Sequence, residues 1–219
     1  MSKPASSGLT PGIHTITTST TQLTTITSGM VHLHASCILY DGTLATFLPP
    51  LNYDTLYEWW EEQVKEIELG RRHIIVSVSE VSERTGHLQA PWHGESIDWP
   101  ILERGLEVSG VVMLATPFSQ TGPFRATVEK LLVSPLHRRR GVARALMTKL
   151  EDVALQNGRW NLMLDTIVGT EAEGVYPKLG YTRFGVVEEY GYSPRDGSLV
   201  DEVWFWKDLR KTRLAGKRE

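Results

Sequence analysis

The sequence has a single cysteine, Cys37, and it lacks any long apolar run. One cysteine excludes an intramolecular disulfide and fits a reducing compartment. No apolar stretch approaches the length that spans a membrane, and the N-terminus has no apolar core of a secretory signal. We therefore expect a cytoplasmic protein that does not associate with membranes. Cys37 itself fits a buried structural thiol better than a reactive one.

An excess of basic charge is also missing. Lys and Arg together number 23 against 26 Asp and Glu, and the formal net charge is −3. This balance argues against nucleic-acid binding, and the basic run His137–Arg140 is too short to change it. A length of 219 residues suits one domain with a full core. We expect a disordered leader at 1–12, a single domain at 13–209 and a basic tail at 210–219.

Hydrophobic periodicity predicts a mixed α/β chain without internal repeats. Strands are expected at 13–18, 73–79, 106–114, 125–133, 161–168, 181–190 and 202–206. Helices are expected at 20–40, 55–69, 142–156 and 171–179, the second of them capped by Asp54. The segment 20–40 is rich in threonine, which favours strand, but Leu23, Ile26 and Met30 begin an apolar stripe at helical spacing, so helix is preferred.

A long stretch at 80–107 contains several prolines and glycines and two tryptophans. Loops of this length inside a domain are either functional or disordered. Trp92 and Trp99 argue against full disorder. Two interpretations stay open: the loop covers an acceptor pocket, or it is an insertion without a chemical role.

The stretch from Val128 to Gln156 has the pattern of a phosphate-binding turn. An apolar strand ends at Ser134-Pro135, and a basic turn with Gly141 opens a helix with a continuous apolar face. The first amides of a helix have no intrahelical partner, and the helix dipole favours an anion beside them. Small residues at Gly141 and Ala143 allow a pyrophosphate to approach the main chain. The alternative is a solvated basic turn before an ordinary amphipathic helix.

Two motifs in this half of the chain resemble those of the GCN5-related N-acetyltransferases (GNAT). The first, R-x-x-G-x-A, is carried by Arg138, Gly141 and Ala143, and resembles the family's acetyl-CoA signature. The second, A-x-x-x-Y-x-K-x-G-Y, follows at the expected distance, on Ala172, Tyr176, Lys178, Gly180 and Tyr181. The resemblance covers roughly residues 106–208. It implies a GNAT fold of the α/β (α+β) class, with a mixed sheet of about six to seven strands and about four helices.

A narrower resemblance points to the tabtoxin-resistance type of acetyltransferase, which acetylates a small amino-acid-like toxin. It rests on Leu164-Asp165-Thr166, on Ala172-Glu173 and on Arg183-x-Gly185 with Tyr190. The chain departs from these patterns twice. Gly169 stands where many members have an asparagine that contacts the cofactor, and Thr127 stands where the subgroup has a carboxylate. Glu129, two positions later on the same strand face, is one replacement for that carboxylate.

The resemblance implies acetyl-CoA as co-substrate, no metal, and direct transfer in a ternary complex. The N–H of Leu131 would polarise the thioester carbonyl, and Tyr176 would protonate the departing thiolate, with Glu129 or Asp165 as the base. The implied cofactor-binding residues are Leu131, Leu132, Val133, Arg138, Arg139, Arg140, Gly141, Val142, Ala143 and Arg144.

The function predicted from the sequence is therefore an N-acetyltransferase that acts on the amine of a small molecule. Two alternatives stay open: acetylation of protein or peptide amino groups, and a module that binds acetyl-CoA without catalysis. Glu129 and Asp165 are not separated as bases at this point. A homodimer is likewise left open, and no nucleic-acid or membrane partner is expected.

Overall fold

A mixed sheet of seven strands forms the centre of the protein. The computed structural model describes residues 9–20, 23–81, 88–89, 96–97, 101–102 and 105–211. Its strands are β1 (Gly12–Thr15), β2 (Arg72–Glu80), β3 (Leu88–Gln89), β4 (Ser96–Ile97), β5 (Leu106–Ala115), β6 (Arg125–Val133), β7 (Asn161–Ile167), β8 (Thr182–Tyr192) and β9 (Leu199–Asp208). Its α-helices are α1 (Leu23–Asp41), α2 (Tyr53–Glu68) and α3 (Val142–Gln156).

The strand order in the main sheet is β1-β2-β5-β6-β7-β9-β8, while β3 and β4 form a separate pair. Every neighbouring pair in the main sheet is antiparallel except β6 and β7, which run parallel. A parallel pair needs a crossover connection, and α3 supplies it between these two strands. The predicted α/β architecture with six to seven strands is confirmed.

The two faces of the sheet carry separate hydrophobic cores. On one face, α1 and α2 pack over residues such as Val76, Val111 and Leu132. On the other face, α3 packs over Val112, Leu164 and further residues of the second core. Because side chains alternate along a strand, the two cores together explain why β2 and β5 are apolar at successive positions.

Helix α1 confirms the choice of helix for the threonine-rich segment. Twelve of its nineteen residues are buried, including Ile26, Met30 and Leu33, so tertiary burial overrides the strand preference of its threonines. None of the described helices is both long and apolar enough to cross a lipid bilayer.

Three local predictions need correction or fall outside the described residues. The cap of α2 is Asn52, whose side chain accepts from the Thr55 amide, and not Asp54. The segment 171–179 forms successive turns and a short 3₁₀ helix, Pro177–Leu179, because Pro177 lacks the N–H that a longer α-helix needs. Most of the loop 80–107, residues 1–8 of the leader and residues 212–219 of the tail lie outside the described part of the chain.

Candidate active site

The parallel strands β6 and β7 separate soon after they begin. They pair only from Arg125–Thr127 to Asn161–Met163, at the N-terminal ends of both strands. Beyond Thr127, the described part of the sheet gives β6 a partner only on its β5 side. The edge of β6 from Val128 to Val133 therefore faces a gap, and backbone groups of this edge are available to a ligand.

A β-bulge bends β6 where this gap opens. Glu129 lies opposite Met113 and Leu132 opposite Val111, so Lys130 and Leu131 together oppose one residue of β5. Lys130 has a φ of 53°, which is unusual for a residue with a side chain. Bulges bend a strand and redirect its side chains. Here the bulge brings Glu129 to Arg72, with a 2.6 Å ion pair, and Lys130 over the ring of Trp59.

The predicted phosphate turn lies directly after β6. Gly141 precedes α3 with a φ of 81°, and no side chain caps the helix. A Cβ built on Gly141 would meet no atom of the described residues within 4 Å, so these residues leave the space beside the start of α3 open. A shallow groove of about 450 Å³ begins there and is lined by Gly141, Arg144, Ala145, Thr148, Lys149 and Asp152. An open helix N-terminus of this kind can accept an anion such as a pyrophosphate.

The arginines of the turn differ in their contacts. Arg139, Arg140 and Arg144 are exposed, and the one ion pair of Arg139 with a described residue is a 3.9 Å contact with the exposed Glu171. Arg138 instead forms a two-pronged ion pair with Asp41, at the end of α1, with one N–O distance of 2.7 Å. Its guanidinium also reaches the carbonyl of Val133. Arg138 therefore links the turn to the end of α1, while the other three arginines face solvent.

Cys37, on α1, also contacts the end of β6. Its thiol is buried and donates to the Val133 carbonyl over 3.7 Å. Burial, with the nearby charge of Asp41, raises the pKa of the thiol to about 12. The predicted structural role is therefore consistent with its surroundings, because reactivity requires the thiolate.

The ion pair between Arg138 and Asp41 gives a testable prediction. We expect Asp41→Ala and Arg138→Ala each to lower the melting temperature by a few degrees, and the double variant to lower it little further, because each single change already breaks the same pair. Differential scanning calorimetry of the four proteins measures this coupling. Additive losses would show that the two side chains act independently.

A buried pair, His137 and Glu107, holds the start of the turn. His137 hydrogen-bonds through Nε2 to the carboxylate of Glu107 on β5, and both side chains are 2% exposed. Ser134, three residues earlier, donates its backbone N–H to the Ser109 carbonyl on the same strand. The turn is thus tied to β5 at two points, and its position relative to β6 is well defined.

Tyr176 lies in the core beneath α3, at the segment that follows β7. Its ring packs against Phe205 and Tyr181, with centroids 5.4 and 6.1 Å away. Burial, and secondly the charge of Asp165, raise the pKa of its phenol above the usual value. Its hydroxyl has no hydrogen-bond partner among the described residues. The phenol therefore remains protonated and can serve as a donor.

One acidic residue of the site was not predicted from the sequence. Asp165, on β7, was predicted, but its partner Glu202, on β9, was not. The Glu202 side chain is 3% exposed and hydrogen-bonds to Asp165. Lys130 lies close enough to both carboxyl groups to interact with their charge. The signal that could have found Glu202 is an acidic residue inside an apolar strand, where acids are disfavoured.

The model of the acetyltransferase (GNAT) family matches residues 53–181, more than half of the chain. The match includes the turn at Gly141, both parallel strands and Tyr176. It therefore covers the gap between β6 and β7 as well as the α3 N-terminus.

Solved structures share the fold at low sequence identity. A Salmonella typhimurium protein, provisionally named an acetyltransferase and solved with its cofactor acetyl-CoA, is 14% identical over 90% of this chain and 94% of its own, with a TM-score of 0.60. A ribosomal-protein-alanine N-acetyltransferase from Brucella melitensis is 15% identical over 90% and 99%, with a TM-score of 0.59. An aminoglycoside 6′-acetyltransferase type Ii is 15% identical over 90% and 96%, with a TM-score of 0.56. The chain belongs to the GNAT acetyltransferase family and is an acyl-CoA N-acetyltransferase that uses acetyl-CoA.

Proposed function

We propose that the enzyme acetylates the amine of a small, amino-acid-like molecule. The observation that carries this proposal is the pairing of opposite charges beside the gap between β6 and β7. Lys130 and Arg72 supply two cations, of which Arg72 is paired with Glu129, and Asp165 and Glu202 supply two carboxyl groups within the same cluster. A zwitterion carries a positive and a negative charge a short distance apart. Its ammonium group can therefore pair with the carboxyl groups of the cluster, and its carboxylate with the cations.

The aromatic side chains beside the cluster suit a small ligand. Trp59 of α2 lies under Lys130, and Trp204 of β9 packs against Tyr190 of β8. Small-molecule sites combine such apolar surfaces with a few placed polar groups. The narrower resemblance to the tabtoxin-resistance subgroup supports the same acceptor class.

The proposed cofactor site follows the gap. Amides of residues 139–144 would bind the pyrophosphate, assisted by the exposed Arg139, Arg140 and Arg144. The free edge of β6 at Leu132 and Val133 would lie along the pantetheine arm. Acetyl-CoA supplies the acetyl group as a thioester, and the Leu131 N–H would polarise its carbonyl oxygen.

We assign the proton donor and the base as follows. Tyr176 gives a proton to the departing sulfur, since burial keeps its phenol protonated. Asp165 accepts the proton of the acceptor amine. Glu129 is less suited to this role because protonation would break its 2.6 Å ion pair with Arg72.

A panel of acceptors tests the proposal. Release of free thiol from acetyl-CoA is measured with free amino acids, aminoglycosides and peptides that carry an N-terminal amine. We expect turnover with one or more free amino acids or their analogues, and a kcat/KM at least tenfold higher than for any peptide. Preference for peptides would indicate a protein acetyltransferase, and preference for aminoglycosides would overturn the amino-acid-like assignment.

A further inference from the structure

Asp165 and Glu202 form a pair of carboxyl groups that belongs to neither hydrophobic core. Their neighbours in sequence, Leu164 and Val203, are buried in the core under α3. Side chains alternate along a strand, so Asp165 and Glu202 both point to the opposite face. Asp165 lies opposite Trp204 and Glu202 opposite Ile167, which makes the two acids diagonal neighbours across β7 and β9. Their carboxyl groups are hydrogen-bonded to each other.

The surroundings of the pair come from four elements. Lys130 of β6 is the cation that acts on Glu202, and it also interacts with Glu129 and with Arg72 of β2. From β8, Gly191 lies so close that an added Cβ would be 2.9 Å from Oε1 of Glu202. The same Cβ would be 2.7 Å from Leu44, in the segment after α1. The backbone of Gly191, with Leu44 beside it, thus lies against Glu202, and Asp165 and Lys130 also act on its carboxyl group.

Two carboxyl groups in contact cannot both ionise without repulsion. One cation, Lys130, partly offsets this repulsion and is itself shared with Glu129. Burial, and then the hydrogen bond and charge of Asp165, raise the pKa of Glu202 to about 8. The pair therefore keeps one proton at neutral pH, and the proton belongs to the pair as a whole.

On the basis of the acetyl transfer proposed above, we propose that the Asp165–Glu202 pair is the general base, and that it receives the proton of the acceptor ammonium on the hydrogen bond between the two carboxyl groups. An isolated exposed carboxylate is too weak a base for an ammonium group. A doubly ionised pair is a much stronger base, because protonation removes the repulsion and forms a hydrogen bond. The pair also attracts the ammonium before the proton moves.

The proton and electron balance is complete with the groups already named. The ammonium loses one proton to the carboxyl pair, and the lone pair of the nitrogen then forms the C–N bond to the acetyl carbon. The C–S bond breaks, and the sulfur takes a proton from the Tyr176 hydroxyl. The second proton lost by the nitrogen restores the tyrosine, and the carboxyl pair releases its proton to solvent. The net products are an amide, a thiol and one proton.

The test is the pH dependence of kcat/KM for Glu202→Gln, measured with saturating acetyl-CoA and the best acceptor of the panel. For the wild type, we expect the rate to rise with pH through a midpoint near 8 and then level off. In the variant this rise with pH should be absent. Its kcat/KM at pH 9 should be about 100-fold lower than that of the wild type, which is the usual contribution of a general base. Its affinity for acetyl-CoA should stay within twofold. Glu188→Gln, which removes an exposed carboxylate of β8, should behave as the wild type.

A measurement without turnover separates the possible failures. In protein labelled with ¹³C at glutamate carboxyl carbons, one resonance should titrate near pH 8, and it should be missing in Glu202→Gln. If the wild type is active and the variant keeps the same rise of kcat/KM with pH, the base assignment is overturned and the proposed acetyl transfer stands. A wild type that acetylates nothing in the panel overturns both proposals, even when the carboxyl resonance titrates as expected.

Discussion

Tyr176→Phe should lower kcat by about 100-fold and leave the affinity for acetyl-CoA unchanged, if Tyr176 protonates the departing sulfur. The substitution keeps the ring that packs against Phe205 and Tyr181 and removes only the hydroxyl. That hydroxyl makes no hydrogen bond with any residue the structure describes, so its loss leaves no buried partner unpaired. Steady-state kinetics with the best acceptor and calorimetric titration with acetyl-CoA measure the two quantities separately.

The neighbouring buried tyrosine provides a matched control. Tyr181 is 3% exposed, its ring lies against the ammonium of Lys207, and the carboxylate that acts on its phenol is Glu151. Tyr181→Phe should therefore change kcat by less than threefold. A kcat within twofold of the wild type in Tyr176→Phe would show that the phenol only packs, and that solvent protonates the sulfur.

Gly141→Ala should weaken acetyl-CoA binding about 30-fold, the equivalent of about 2 kcal/mol of charge-assisted hydrogen bonding. Gly141 has a φ of 81°, where a residue with a side chain is strained by about 1 kcal/mol. The added methyl group would also project into the open space before α3, where the phosphates are proposed to bind. Calorimetric titration with acetyl-CoA gives the change in affinity directly.

Gly158, at the other end of α3, separates these two effects. It has a φ of 71°, and an added Cβ would likewise meet no atom within 4 Å in the part of the chain that the structure describes. Gly158→Ala should therefore cost the same backbone strain, lowering the melting temperature by about 2–4 °C, with no change in acetyl-CoA affinity. Equal affinity losses in the two variants would show that Gly141 matters for stability only.

The parts of the site that are local in sequence could be predicted from it. The strand β6, the turn at Gly141 and the start of α3 follow one another along the chain, so their pattern is visible without the fold. The predicted bounds of β6 and α3 agree with the structure. Helix α1 was harder to predict, because it is buried on most sides and its polar and apolar residues are not segregated.

The contacts that depend on the fold could not be predicted. Asp41 meets Arg138 across 97 positions of sequence, and nothing near either residue indicates the partner. Glu202 reaches Asp165 only because β9 lies between β7 and β8 in one particular register. A bulge of one residue decides where Glu129 and Lys130 point, and strand periodicity carries no sign of it.

The short pairing of β6 with β7 has a consequence for the energetics of the whole protein. Among the described residues, only three residue pairs join the half-sheet β1-β2-β5-β6 to the half-sheet β7-β9-β8, fewer than join any other two neighbouring strands of this sheet. A pantetheine arm bound along β6, as proposed, would add contacts along the part of the seam where β6 and β7 do not pair. Its binding energy is then also folding energy. Each release of CoA would then remove this stabilisation, and the supply of the cofactor would influence how long the folded protein lasts.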